Sequence, residues 1–197
     1  MAKMLLSICI PAVPSRFVLG LSLFEFLMLQ TKGTKLVEIL YFLDNKKRSV
    51  GMKRDALLHM TKGKYVTFVD DDDTVADSYV DDLLWAIVEN QDVDVITFDI
   101  QSDISGAIGI SKHNLDFDNQ PFSTDGFTRK PWQLHAWKGV LARTFHYPDK
   151  QWGEDWGWIK QVLPYAKTQV NIDKVLYYYK TSDETSESLK ALRKESC

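Results

Sequence analysis

The stretch KYVTFVDDDD, residues 64–73, runs from an apolar segment directly into four consecutive aspartates. The β-branched and aromatic residues of 64–69 predict a buried strand. Four adjacent carboxylates repel one another unless a cation or hydrogen-bond donors neutralise them. The stretch therefore predicts a strand whose carboxyl end carries a charged site.

The segments around this strand repeat one pattern, in which apolar runs alternate with stretches of helical period. Such alternation builds a parallel sheet with helices on both faces, so the predicted class is α/β, Rossmann-like. The last part of the chain is predicted to depart from the repeat, with loops and short antiparallel strands at 101–131 and a flexible tail from Thr181 onward. The predicted strands are 4–10, 36–43, 64–69, 93–100 and 174–179, and the predicted helices are 16–31, 49–61, one beginning at Asp77, and 155–163.

Length and composition exclude several classes of protein. A chain of 197 residues with 45% hydrophobic residues is expected to form a single domain with a full core. Two cysteines make no disulfide framework, and a net charge of -3 argues against a general polyanion binder. The apolar run 17–29 contains Glu25 and is shorter than the roughly 20 residues that span a bilayer. We expect a cytoplasmic protein without a transmembrane segment or signal peptide.

Polar residues follow three of the predicted strands. Arg16 lies just beyond the first strand, Asp44 follows the second, and the acidic run 70–73 follows the third. The carboxyl ends of parallel strands form the ligand crevice of open α/β sheets, so these residues are expected to meet at one edge. Oxygen ligands without nearby His or Cys favour Mg²⁺ or Mn²⁺. The alternative is a solvated acidic turn that leads into the next helix.

A second cluster places two acids among indole rings, as Trp152-Gly153-Glu154-Asp155-Trp156. A carboxylate in apolar surroundings has a raised pKa and can act as a general base near neutral pH. The alternative is a helix start with two favourable acids and tryptophans that pack in the core.

A group of basic residues separates Asp44 from the acidic run. Its members either neutralise a diphosphate or form a solvated helix face. Arg54 is the preferred candidate to contact a phosphate or a base, because its planar guanidinium group suits these ligands better than a lysine amine does. His113, His135 and His146 have no metal-ligand spacing, and the chain lacks a P-loop and a G-x-G-x-x-G loop. The group comprises Lys46, Lys47, Arg48, Lys53, Arg54, Lys62 and Lys64.

The order of these motifs resembles that of the inverting family 2 glycosyltransferases of the GT-A fold. The first loop, Pro11 to Arg16, matches a Pro-Thr-Tyr-Asn-Arg-like loop of that family, and the helix after it ends near Gln30. The later matches are Glu38-Ile39 to Asp44, Gly51-Met52-Lys53-Arg54-Asp55, Lys62-Gly63-Lys64-Tyr65, Asp70-Asp71-Asp72-Asp73, Gly153-Glu154-Asp155-Trp156 and Leu176-Tyr177-Tyr178-Tyr179.

The resemblance implies a role for individual residues. Asp155 is implied as the catalytic base, with Glu154 positioning the acceptor and Trp152 and Trp156 forming its platform. Asp72 and Asp73 are implied as ligands of Mn²⁺ or Mg²⁺. The implied donor-binding residues are Pro11, Arg16, Asp44, Arg54, Asp70 and Asp71.

The function implied is metal-dependent transfer of a sugar, with inversion, from a nucleoside diphosphate sugar to a hydroxyl acceptor such as a glycan. A UDP-sugar is the expected donor, bound by residues 1–100, while residues 101–180 would bind the acceptor. Three alternatives stay open: the same chemistry on a hydroxymethylated DNA base, a sugar-phosphate nucleotidyltransferase, and a non-catalytic module that binds nucleotide-sugar or metal. The sequence leaves the oligomeric state open.

Overall fold

The computed structural model describes residues 3–90 and 92–181. Within them the chain forms nine strands and five α-helices. The strands are β1 (Leu6–Ala12), β2 (Val37–Leu43), β3 (Tyr65–Phe68), β4 (Thr74–Val75), β5 (Val95–Ile104), β6 (Ala107–His113), β7 (Phe127–Arg129), β8 (Ala136–Lys138) and β9 (Gln169–Thr181). The helices are α1 (Phe17–Gln30), α2 (Val50–Met60), α3 (Tyr79–Glu89), α4 (Gly139–Ala142) and α5 (Glu154–Val162).

The strands form one mixed sheet in which most paired residues lie in parallel ladders. Strand β1 lies between β2 and β3 and is parallel to both. The short strand β8 joins β3 to β5 and is antiparallel to both. Along its other edge, β5 pairs in parallel with β9, whose outer edge carries β4. The hairpin of β5 and β6, with β7 beside β6, extends the sheet.

Helices cover both faces of this sheet, as the repeat of strands and helices predicts. Alternate residues of β1 point to opposite sides, with Ile8 in one apolar cluster and Cys9 in the other. Helices α1 and α3 contribute to the cluster with Ile8, while α2, α4 and α5 contribute to the cluster with Cys9. The predicted α/β class with a mostly parallel sheet is confirmed.

The parallel arrangement of β1, β2 and β3 brings three loops to one edge of the sheet. The loops begin after Ala12, Leu43 and Phe68, the last residues of the three strands. Helix α2 begins at this edge, where the Ser49 hydroxyl accepts a hydrogen bond from the Met52 amide at 3.1 Å and caps the helix. This edge is where the sequence predicts the ligand crevice.

The differences from the predicted elements lie mainly in the second half of the chain. Strand β5 continues to Ile104 rather than ending at 100, because it forms a hairpin with β6. Strand β9 begins at Gln169 rather than at 174, because it pairs with β5 along its length. Strands β4 and β8 and helix α4 were not predicted, since segments of two to four residues are too short to show a periodic pattern. The predicted antiparallel strands at 101–131 are correct for β6, which pairs with β5, and wrong for β7, which pairs in parallel with β6.

Two further expectations concern the chain ends and the membrane. The predicted flexible tail lies outside the described residues, apart from Thr181 at the end of β9. Among residues 3–90 and 92–181, every helix is too short or too polar to cross a bilayer.

Candidate active site

A cleft opens at the carboxyl ends of β1 and β3. The segment 151–155, which includes the start of helix α5, also lines it. The last residues of β9 form a third side of the cleft. The lining residues are Pro11, Val13, Arg16, Val50, Lys53, Arg54, Asp70, Asp72, Gln151, Trp152, Gly153, Glu154, Asp155, Tyr179, Lys180 and Thr181.

Two thirds of the residues predicted for the site line this one cleft. They come from four separate parts of the chain and are Pro11, Arg16, Arg54, Asp70, Asp72, Trp152, Glu154 and Asp155. The other predicted residues, Asp44, Asp71, Asp73 and Trp156, do not line it. The two charged motifs of the sequence are therefore brought face to face, while their individual residues differ in orientation.

The four aspartates after β3 alternate between the protein interior and the cleft. Asp71 is buried, accepts a hydrogen bond from the Val13 amide at 2.8 Å and pairs with Arg16 at 2.5 Å. Asp73 is also buried and accepts from the Tyr177 hydroxyl at 2.6 Å and from the Lys180 amide at 3.0 Å. These two carboxylates hold the turn against neighbouring segments instead of facing a ligand.

Asp70 and Asp72 are the aspartates that face the cleft. Asp72 pairs with Arg16 at 2.6 Å, so one guanidinium joins an inward and an outward carboxylate of the run. Burial raises the pKa of Asp72 to about 6; Arg16 opposes this, and the charges of Asp70 and Asp71 add to it. Asp72 is paired with Arg16 and Asp70 with Arg54, so a metal ion would share each carboxylate with an arginine. Carboxylate oxygens are the ligands that a hard divalent cation prefers. The chemistry of Asp70 and Asp72 thus fits Mg²⁺ or Mn²⁺.

Arg54 connects the two walls of the cleft from a buried position in α2. Its Nη2 donates to both carboxylate oxygens of Asp70, at 2.8 and 3.0 Å, and its Nε donates to Glu154 at 3.1 Å. The guanidinium also lies over the Phe68 ring, 5.4 Å from the centroid. Burial acts to lower the pKa of Arg54, but the charges of Asp70 and Glu154 raise it well above its ordinary value. Arg54 is a permanent cation at the base of the cleft.

Glu154, which the resemblance implies as a residue that positions the acceptor, is turned toward this arginine. The side chain is buried, and burial raises the pKa of Glu154, with Arg54 opposing and Asp155 reinforcing the shift. Gly153 precedes it with φ of 72°, a left-handed conformation that glycine adopts without strain. The backbone turn at Gly153 therefore begins α5 with Glu154 directed inward and Asp155 directed to the cleft.

Asp155 lies where the cleft meets a second, more apolar pocket. Both pockets are lined by Asp155 and by Tyr179. One carboxylate oxygen of Asp155 accepts a hydrogen bond from the Trp156 amide at 2.7 Å. The second pocket has a wall of aromatic rings, formed by Phe122, Phe127, Trp132 and Tyr179. A substrate group in this pocket would lie next to the Asp155 carboxylate.

The two predicted platform tryptophans have different surroundings. Trp152 lines the cleft and is 48% exposed. Trp156 stacks on Trp132, with ring centroids 5.2 Å apart, and the amine of Lys160 lies 5.2 Å from the centroid of its ring. Trp156 thus supports Trp132, which lines the second pocket.

Asp44 lies beside the cleft rather than in its wall. Its carboxylate pairs with Lys53 at 3.4 Å and accepts hydrogen bonds from the Lys46 and Arg48 amides. Lys53 is buried, donates to the Ala12 carbonyl at 2.8 Å and does line the cleft. Asp44 therefore holds a lysine of the cleft in place.

The sequence analysis missed several residues that build the site. Lys53 was visible only as one of seven basic residues, and a buried lysine cannot be told from a solvated one by spacing. Tyr177 and Lys180 come from β9, more than 100 residues after the aspartates they contact. The three tyrosines at 177–179 could have pointed to β9 as part of the site, because they belong to a motif of the family that the sequence resembles.

Most of the basic cluster between Asp44 and Asp70 is engaged in ion pairs with the chain's own carboxylates. Arg48 and Lys53 pair with Asp44, Lys64 with Asp92, and Arg54 with Asp70 and Glu154. The charges of these four residues are therefore partly balanced by carboxylates within the chain.

Comparison with solved structures identifies proteins of similar fold. The chain aligns with S. aureus TarS at a TM-score of 0.65 and 14% identity, over 91% of this chain and 37% of that chain. The structure of TarS 1-349 in complex with UDP-GlcNAc gives a TM-score of 0.65 and 14% identity over 95% of this chain and 61% of that chain. The structure of TarS 1-349 in complex with UDP gives a TM-score of 0.61 and 15% identity over 91% of this chain and 61% of that chain.

These matches concern the fold alone, which is like that of GT-A glycosyltransferase structures. The present chain spans less than two thirds of the length of each TarS chain. No protein-family profile matches the sequence. No curated protein matches it in a sequence search.

Proposed function

We propose that this chain is a metal-dependent inverting glycosyltransferase that moves a sugar from a UDP-sugar to a hydroxyl acceptor. The observation that carries the proposal is that Asp72 and Asp155 line the same cleft. One wall offers carboxylates and cations for a diphosphate, and the other offers a carboxylate for proton transfer. The fold shared with TarS, which has been solved with UDP-GlcNAc and with UDP, supports the same assignment.

The donor would bind on the side of the cleft formed by the loops after β1 and β3. Arg16, Lys53 and Arg54 are the cations of this wall, and Asp70 and Asp72 are its carboxylates. Arg54 donates two hydrogen bonds to the Asp70 carboxylate, which fixes the orientation of this carboxylate beside the donor. Pro11 and Val13 supply apolar contact beside the nucleotide.

The carboxylates of Asp72 and Asp70 would hold Mn²⁺ or Mg²⁺. Such an ion, when bound, supplies positive charge that stabilises the diphosphate as it leaves. We do not include Asp73 among the metal ligands, because its carboxylate accepts hydrogen bonds from Tyr177 and Lys180 and so supports the turn. Arg16 stays within reach of the phosphates because Asp71 anchors it from the interior side.

Asp155 would act as the base in a single displacement. The acceptor oxygen forms a bond to the anomeric carbon while the bond from that carbon to the diphosphate oxygen breaks. The hydroxyl proton passes to a carboxylate oxygen of Asp155, and the diphosphate departs with the bonding electron pair. Attack from the side opposite the diphosphate inverts the anomeric configuration. Glu154 acts through Arg54 and is a positioning residue.

The acceptor would enter through the aromatic pocket that shares Asp155 and Tyr179 with the donor cleft. Aromatic faces pack against the C–H faces of sugar rings, and Ser102 and Ser111 add hydroxyl groups to the pocket lining. Aromatic rings also stack on nucleobases; we take a glycan as the acceptor, with a DNA base as the alternative to be tested. Duplex DNA should accordingly bind without the steep salt dependence of a phosphate-binding protein.

The proposal is tested by following UDP release from a UDP-sugar in the presence of Mn²⁺, with EDTA as the control. We expect slow hydrolysis that requires the metal and is lost in Asp155→Asn. A protein that only binds nucleotide-sugar would be thermally stabilised by the donor and would release no UDP. That result would remove the catalytic assignment and leave a binding module.

A further inference from the structure

We propose that Asp55, His59 and His146 form a second metal site, specific for a transition metal such as Zn²⁺, outside the cleft. One potential ligand atom from each of the three residues lies within 4.8 Å of the other two. Asp55 and His59 are one turn apart in α2, while His146 comes from the loop between α4 and α5. The three residues therefore meet only in the folded protein.

The geometry directs both imidazoles toward one carboxylate. His146 Nδ1 lies 3.1 and 3.2 Å from the two Asp55 carboxylate oxygens. His59 Nδ1 lies 3.6 Å from the first of them and 2.9 Å from the backbone carbonyl oxygen of Asp55. The two rings stack with centroids 4.4 Å apart and an angle of 12° between their planes. A metal ion bound among these atoms would displace the protons that now join the ring nitrogens to Asp55, as binding to imidazole ligands requires.

The donor set selects the type of metal. Two imidazole nitrogens and one carboxylate oxygen suit Zn²⁺, Ni²⁺ or Cu²⁺, whereas Mg²⁺ prefers oxygen ligands alone. All three side chains are open to solvent, with His146 71% exposed, so water can complete the coordination. Either exposed ring can turn about its Cβ–Cγ bond to direct a lone pair at the ion. The site is thus chemically distinct from the carboxylates of the cleft.

The surroundings of Asp55 indicate what a bound ion would do. Asp55 also accepts a hydrogen bond from the Tyr147 amide at 2.9 Å, and the Tyr147 ring stacks on Trp158 in the core. Helix α2 carries Lys53 and Arg54, and the loop with His146 leads to the cleft wall at 151–155. A metal here would join the two elements that form opposite sides of the cleft and would stabilise the folded chain.

The test is the binding of Zn²⁺ to the full chain, made without a histidine tag and with Cys197→Ser so that this thiol cannot bind zinc. Affinity is measured by competition with a chromophoric chelator. We expect one equivalent to bind with a dissociation constant in the micromolar range or below. His59→Gln and His146→Gln should each weaken binding at least about 10-fold, since even loss of a partner behind a ligand costs that much.

Asp72→Asn is the matched control, because it removes a cleft carboxylate and leaves both histidines in place; it should bind Zn²⁺ at this site as the parent does. As a second measurement, Co²⁺ added to the parent should give a visible absorption band that disappears in His146→Gln. The proposal is overturned if the two histidine variants bind Zn²⁺ as tightly as the parent, or if Co²⁺ gives no such band. A site that is lost in Asp72→Asn but kept in the histidine variants would also overturn it, because the ion would then be in the cleft.

Discussion

Arg54 donates hydrogen bonds from a single terminal nitrogen to both carboxylate oxygens of Asp70, at 2.8 and 3.0 Å. Through its Nε the same guanidinium reaches Glu154, 3.1 Å away. One side chain thereby joins three parts of the chain: the segment after β3, helix α2 and the start of α5. The positions of the Asp70 and Glu154 carboxylates in the cleft depend on this buried cation.

Removal of Arg54 should affect both stability and donor binding. Arg54→Ala leaves Asp70 and Glu154 without their partner, and loss of one member of a buried ion pair typically costs about 3–5 kcal/mol. We expect a reduced free energy of unfolding in urea and a loss of measurable UDP affinity. Arg48→Ala is the control, because Arg48 is exposed and lies 3.8 Å from Asp44. Equal stability of the two variants would contradict the role given to Arg54.

The base assignment predicts a kinetic defect without a binding defect. Asp155→Asn keeps the shape and the hydrogen bond to the Trp156 amide but cannot accept the acceptor proton. Turnover should fall roughly 10²–10⁴-fold, the usual contribution of a general base. Isothermal titration should find the UDP affinity within a factor of about two of the parent. Normal turnover in this variant would show that another group accepts the proton.

The cleft carboxylates predict a specific loss of metal dependence. Asp72→Asn should abolish the increase in UDP affinity that Mn²⁺ produces, because one of the two proposed metal ligands becomes neutral. Asp125→Asn, in an exposed loop, should retain the full effect of Mn²⁺. An Mn²⁺ effect of unchanged size in Asp72→Asn would assign the ion to other residues.

The contact between α2 and the loop before α5 predicts that Gly51 cannot be replaced. Its amide donates to the Lys150 carbonyl at 3.0 Å, and a Cβ at this position would collide with the backbone carbonyl oxygen of Pro148. Gly51→Ala should lower the free energy of unfolding by about 1–3 kcal/mol, the usual cost of overpacking. Met52→Ala, at the exposed next position, is the control for helix propensity. A gain in stability in Gly51→Ala would contradict the packing described.

Two buried histidines predict a dependence of stability on pH. Burial lowers the pKa of His113 to about 4, and it lowers the pKa of His135 well below the ordinary value. The unfolded chain then binds protons that the folded chain does not, so stability is lost as pH falls from about 6.5 toward 4. Between pH 7 and pH 5, His113 alone should cost about 2 kcal/mol.

The contribution of His113 is isolated by comparison with His113→Gln, which retains the acidic groups of the protein. Urea unfolding at both pH values should give a smaller loss on acidification for the variant. An identical loss in the two proteins would mean that His113 titrates normally in the folded state.

The sequence was sufficient for the α/β architecture and for the convergence of the charged motifs, because apolar period and strand ends are local signals. The sequence could not show that Asp70 and Asp72 face the cleft while Asp71 and Asp73 face the interior. The partners that hold Asp71 and Asp73 inward come from distant segments of the chain. The inward direction of Glu154 likewise depends on Arg54, 100 residues earlier.

The histidine cluster illustrates the same limit of sequence reasoning. The i, i+4 spacing of Asp55 and His59 on a predicted helix was a detectable signal of two potential ligands on one face. The third residue, His146, lies 91 residues after Asp55 and is brought there by the packing of α2 on the loop before α5. Only the tertiary structure reveals the set of three.

A crystal structure of the chain with UDP and Mn²⁺ would show directly whether the cleft binds a nucleotide donor. We expect the diphosphate to lie between Arg16 and the carboxylates of Asp70 and Asp72, with Mn²⁺ bound to Asp72 and the Asp155 carboxylate facing the β-phosphate across the cleft. A nucleotide bound elsewhere, or a β-phosphate directed away from Asp155, would contradict the proposal that this cleft transfers sugars.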